Sequence, residues 1–148
     1  MDQARIRQVR MRAFLFTTEF TEDTEVLLSN ITDQIIGAAI TVHREIGPGL
    51  LESAYQTCFG IELDDRNMRF EREVPLSLVY NNRVVPNVYR IDFIVEGQVI
   101  VELKSVDKLA PIHTAQLITY QKLTKCRVGL LFNFNIEVLV HGMRRIAL

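Results

Sequence analysis

Apolar residues follow two rhythms along this chain, and the change from one to the other marks its organisation. Ile35, Ile36, Ala39, Val42, His43 and Ile46 recur at the spacing of one helical face, behind Thr32 and Asp33 as N-cap candidates. Gly47-Pro48-Gly49 ends that helix. A second helix is predicted from near Leu50, with Leu51, Ala54, Tyr55, Cys58 and Ile61 on one stripe, so the two form a helical hairpin. From Phe70 the composition turns β-branched and aromatic. Strands are predicted over Phe70 to Tyr80 and Val84 to Val95, joined by Asn81-Asn82, a pair that accepts positive φ. The meander continues from Gln98 to Ser105. A third helix follows Pro111, from Ile112 to Thr124, and Arg127 to Phe134 and Ile136 to Val140 read as further strands. The order is helix, helix, three strands, helix, one or two strands. A right-handed crossover through the third helix would set the fourth strand parallel to the third in a mixed sheet.

Residues 1 to about 30 do not share this patterning, because the arginine-rich opening passes into the polar run Thr17 to Thr24. We read 1–30 as an extension and 31–148 as one domain. The whole chain, 148 residues with 48% hydrophobic and 24% charged, holds enough apolar material for a single core. A net charge of −1 gives no global attraction to nucleic acid, so such binding must rest on a local patch or a metal. Cys58 and Cys126 are too few and too far apart for a disulfide framework or an iron–sulfur site. No run has the length of a membrane span or a signal-peptide core, so a cytoplasmic location is the default expectation.

The candidate chemistry lies between Tyr89 and Lys104. Strand side chains alternate, so Glu102 and Lys104 share one face of their strand. A two-residue turn at Glu96-Gly97 would set Asp92 opposite Val101, on an apolar face. A three-residue loop Val95-Glu96-Gly97 would pair Asp92 with Ile100 and separate the faces. Ile91, Phe93, Val99, Val101 and Leu103 then form one side, and Arg90, Asp92, Glu102 and Lys104 the other, with Ile94 and Ile100. Two carboxylates so placed could hold Mg²⁺ or Mn²⁺, hard cations that prefer oxygen, while Lys104 stabilises charge building on a phosphate. A Glu-x-Lys triplet alone is weak, since about one is expected in a chain this charged. Glu52 in the first turn of the second helix complements the helix dipole in any case. Gln116 and Tyr120 stand one turn apart on the third helix, as a polar flank often does. His43 and His113 are each more often packing or capping residues than catalysts.

Taken in order, these residues resemble the PD-(D/E)XK nuclease superfamily, and more closely its GxxExxY branch. Gly49, Glu52 and Tyr55 match the motif of the branch, Asp92 and Glu102-Leu103-Lys104 match the catalytic core, and Gln116 and Tyr120 match the QxxxY motif of RecB-like and lambda-exonuclease-like members. The agreement extends from about Ile35 to Asn135. The resemblance implies an α/β fold of restriction-endonuclease type, with an α-β-β-β-α-β core, a mixed sheet flanked by helices and an extra helix in front. It also implies a metal held by Asp92, Glu102 and the carbonyl of Leu103, with Glu52 as a helix-borne carboxylate and Gln116 and Tyr120 supporting the site. Ile91 stands where the superfamily name has Pro, and the cysteine cluster of the iron–sulfur members is missing.

Two functions follow. One is a Mg²⁺- or Mn²⁺-dependent phosphodiesterase acting on DNA in preference to RNA, with Glu52, Asp92 and Glu102 as ligands and Lys104 as electrostatic catalyst. The other is a non-catalytic nucleic-acid-binding or assembly subunit that kept the fold, since fold does not guarantee activity. The small size suits a homodimer or a partner chain completing the substrate groove, and no membrane partner is expected.

Overall fold

The computed structural model describes residues 21–148. Helix α1 spans Glu22–Ile46 and α2 spans Glu52–Asp65; strands β1 (Phe70–Tyr80), β2 (Arg83–Val95) and β3 (Val99–Lys104) follow. Helix α3 (Pro111–Thr124), strand β4 (Val128–Asn133), a 3₁₀ turn (Leu139–Gly142) and strand β5 (Met143–Ala147) complete the chain. The sheet order is β1-β2-β3-β4-β5, antiparallel except for β3 and β4, which the crossover through α3 leaves parallel. The fold is therefore the expected mixed α/β type.

Two corrections concern the helices. Helix α1 starts about ten residues earlier than Thr32, because Thr21 accepts from the Thr24 amide and Glu22, Asp23 and Glu25 fill the positive first turn. The part of the supposed extension from Glu22 to Asn30 is thus helix, with Leu28 buried; residues 1–20 lie outside the described residues. In α2 the buried stripe is Tyr55, Phe59 and Leu63; of the stripe read from sequence only Tyr55 is buried, while Leu51 and Ile61 are exposed. At the corner between the helices, Gly47 (φ 68°) and Gly49 (φ 98°) take the backbone conformation glycine tolerates best.

The sheet divides the interior into two cores. Phe93, Val95, Val99, Val101, Leu103, Leu130 and Phe132 face α1 and α2, meeting Ile35, Ala39, Tyr55 and Phe59. Val74, Leu76, Ile94, Ile100 and Leu131 face α3, meeting Leu117 and Tyr120. Each such large side chain contributes about 1.5–3 kcal/mol on full burial. Ile91, expected beside Phe93, belongs to the α3 side. The switch falls opposite Glu73, which takes φ 55° between the pairs Arg72↔Phe93 and Val74↔Ile91.

The last strand also differs from expectation. Ile136 to Val140 lies in the connection and β5 comes later, because pairing Phe132 with Met143 leaves the intervening residues to reverse the chain. Val138 and Val140 are exposed there and only Leu139 of that run reaches the core. No described helix is long and apolar enough to cross a membrane.

Candidate active site

Strands β2 and β3 separate at Asp92, and that separation makes the site. Their pairing matches Val95 with Val99, Ile94 with Ile100 and Phe93 with Val101. The loop is thus Glu96-Gly97-Gln98, with positive φ at Glu96 and Gly97. Relative to the register predicted from sequence the strands slip by two residues, so Asp92 meets Glu102 rather than Ile100. An even slip keeps Phe93, Val95, Val99, Val101 and Leu103 on their predicted face, and Ile91 departs from it because β2 switches faces at Asp92.

Beyond Phe93 the carboxylates take over the ladder. The Asp92 amide donates to Glu102 Oε1 at 2.8 Å, and the Leu103 amide donates to Asp92 Oδ2 at 2.9 Å. Each carboxyl group is held by the backbone of the opposite strand, and the two also share a side-chain hydrogen bond. Glu102 is 5% exposed. Burial, then the neighbouring Asp92 charge, pushes its carboxyl up to about 9. Burial also raises Asp92, against the lowering effects of the Leu103 amide and Lys104. The metal-free protein therefore keeps a proton on the pair at neutral pH.

Other elements converge on this pair. Lys104 ends β3 and its charge lowers both carboxyl pKa values. Glu52 opens α2; its pKa is raised by burial, with Lys104 acting to lower it and Asp92 to raise it. It accepts from Gln56 Nε2 at 3.5 Å. Tyr120 on α3 is pushed up to about 12 by burial and by the charges of Glu102 and Asp92, and its ring packs edge-on against Tyr89. Gln116 lies half-buried one turn earlier. Arg90 is exposed and close enough to lower Asp92.

Neither histidine stands as a catalyst. His43 Nε2 meets the Ile136 carbonyl at 2.7 Å in the helical core. His113 Nδ1 accepts from the Ala110 amide, capping α3, and its pKa is lowered by burial and by Lys104.

Tyr55 of the branch motif, with Ser105 and Asn133, which sequence reasoning passed over, joins the pieces. Tyr55 Oη donates to the Gly47 carbonyl at 2.6 Å and accepts from the Leu50 amide, fixing the loop that carries Glu52. Ser105 Oγ donates to the Leu50 carbonyl at 2.7 Å, tying that loop to the residue after Lys104. Asn133, 3% exposed at the end of β4, accepts from the Val106 and Asn135 amides and donates to the Val106 carbonyl. A polar residue ending an apolar strand, as in Val128 to Asn133, was the available signal.

A family model for the PD-(D/E)XK nuclease superfamily matches residues 29–146. The chain belongs to the PD-(D/E)XK nuclease superfamily. As a PD-(D/E)XK chain it carries the opposed acids on adjacent strands and the lysine two residues after the second. No curated protein matches it. Among solved structures it is similar to one titled "Crystal structure of SSO0001", at 16% identity and a TM-score of 0.46, covering 99% of this chain and 78% of that one. That distant likeness adds nothing to the assignment, which rests on the family match.

Superfamily members typically use divalent metals, and the donors here suit one. Asp92 and Glu102 offer hard oxygen ligands that now share a proton a cation could displace. Among the described residues no group of three or more His, Cys, Asp or Glu side chains is set to hold a metal, so Glu52 stands outside the inner pair.

Proposed function

We propose that this protein is a divalent-metal-dependent nuclease of the GxxExxY branch, hydrolysing phosphodiester bonds of DNA. The observation that carries this is the reciprocal locking of Asp92 and Glu102 by each other's strand, beside Lys104. Fixed acids in a buried setting are costly to stability and cluster at functional sites, and beside a lysine they suit a cation and a phosphate. Asp92, Glu102 and the Leu103 carbonyl would hold Mg²⁺ or Mn²⁺, with Glu52 as an outer carboxylate. When bound, the metal supplies a water of lowered pKa and offsets charge on the phosphate.

The chain's own groups do the rest. Lys104 orients the attacking water and faces the developing oxyanion, its position set by β3 and by the Ser105 contact. Glu52 holds a water or proton on the open side of the pair. Tyr120, kept neutral by its neighbours, offers a hydroxyl to the pair or to a phosphate oxygen. Gln116 extends that polar row along α3.

The test is cleavage of labelled single- and double-stranded DNA and RNA with Mg²⁺, Mn²⁺ or EDTA. Metal-dependent DNA cleavage lost in both Asp92→Ala and Lys104→Ala is expected. No cleavage with any metal, and nucleic-acid binding indifferent to Asp92→Ala, would instead support a binding subunit that kept the fold.

A further inference from the structure

Charge is unevenly spread over this fold. Residues 21–65, which form α1 and α2, carry nine acidic side chains and one basic, a net charge of −8. Residues 66–148, which form the sheet and α3, carry seven acidic and twelve basic, a net charge of +5. The near-neutral total conceals this separation. Helices α1 and α2 cover one face of the sheet, while Asp92 and Glu102 lie on the α3 side. A polyanion is repelled from the first side and drawn to the second.

On the favoured side the sheet has an arm. Leu76 and Tyr89 are the last residues of β1 and β2 that pack with the core under α3. Beyond them the two strands continue as a hairpin, and from Val79 to Val88 every residue is exposed. Asn81 (φ 48°) and Asn82 (φ 59°) turn it tightly, pairing Tyr80 with Arg83. No acidic residue occurs between Glu73 and Asp92, whereas Arg83 and Arg90 do. Continuing the β2–β3 register sets Arg90 opposite Lys104, so the arm leaves the sheet at the end where Lys104 stands. From Arg90 to Asn82 the arm reaches roughly 25 Å at the usual strand rise, or about seven base pairs.

We infer that the β1–β2 arm is a duplex-DNA-binding element, lying along a groove of the substrate whose scissile phosphate meets Asp92 and Glu102. The inference rests on the nuclease reading and adds a substrate form and a second contact region to it. A two-stranded ribbon fits the major groove of B-form DNA. Arg83, Asn81 and Asn82 at the tip are residue types that meet guanine and adenine edges or phosphates, and Val79 and Val84 suit thymine methyl groups. A single strand offers no groove for such a ribbon. The exposed valines would also suit a protein partner, but the absence of acid on the arm favours the polyanion.

The test is fluorescence anisotropy with full-length protein in EDTA, using a labelled duplex of about 20 base pairs and the same single strand. Arg83→Ala should weaken duplex binding by roughly tenfold and lower the slope of log K against log salt by about one. Tyr80→Ala should weaken it several-fold, and Asp64→Lys with Asp65→Lys on α2 should tighten it. These side chains are exposed, so unchanged melting temperatures would show that folding is intact. Duplex affinity indifferent to both arm substitutions, equal losses on single strand, or a change in the protein's sedimentation without DNA would overturn the inference, the last in favour of a second copy. Cleavage that ignores Arg83→Ala would remove the arm and leave the nuclease reading; arm-dependent duplex binding without cleavage would do the reverse.

Discussion

The two faces of β3 differ in what their residues cost the protein. On the side of α1 and α2, Val99, Val101 and Leu103 are fully buried in apolar surroundings. On the side of α3, Ile100 is followed by Glu102 and Lys104, and Glu102 is nearly as buried as its neighbours. One face is built to hold the sheet, the other carries charge into a place where charge is disfavoured. The same six residues thus serve stability and site, and alternation keeps the two roles apart. A substitution on either face should show which role it touched.

The first break between the two roles is expected at Lys104. Lys104→Ala should lower cleavage by about 10²–10³-fold while leaving the melting temperature nearly unchanged, checked by kinetics beside thermal denaturation. Loss of stability instead would erase the distinction between the faces. Leu103→Ala, one residue away, should cost about 2–5 kcal/mol of stability in denaturant melts.

A third comparison sharpens the charge argument. Glu102→Gln and Asp92→Asn keep the acceptors for the strand amides yet remove the need to bury a charge or take up a proton on folding. Each should raise the metal-free melting temperature at neutral pH by about 3–6 °C, equivalent to ~1 kcal/mol or more, while abolishing cleavage. The pH dependence has a definite sign. With the Glu102 pKa raised to about 9 in the folded protein, the unfolded chain releases this proton near 4.5 and the folded one does not. Metal-free stability should therefore fall as pH rises from about 4.5 towards 9, and the decline should flatten in Glu102→Gln. Ser105→Ala is expected to have the smallest effect, about 0.5–1.5 kcal/mol from one lost hydrogen bond, with cleavage reduced only in so far as the Glu52 loop moves.

Much of this was legible in the sequence because β3, and β2 from Phe93 to Val95, alternate clearly; the switch of face at Ile91 was not. Asp92, Glu102 and Lys104 could be assigned to one face even though the register was read two residues out; parity fixes the face and only the turn fixes the partner. The strand bounds of β1 and the start of α3 followed from turn residues and Pro111. The α2 stripe did not, because Leu51, Ala54, Cys58 and Ile61 compete with Tyr55, Phe59 and Leu63 at the same helical period. Only the position of the sheet decides between them. The beginning of α1 was obscured by its acidic first turns, where Leu28 and Ile31 are too sparse to reveal a face. Ser105 acts through the Leu50 carbonyl and Asn133 chiefly through Val106, backbone groups far away in sequence, and the one local trace is the polar residue that ends the apolar run of β4.

The most direct test of the paired carboxylates is a calorimetric titration of Mn²⁺ into the wild type and Glu102→Gln across pH 6–9. Binding that tightens with pH, releases a proton and is lost in the variant is expected. Equal binding by both proteins, or none by the wild type, would contradict the account.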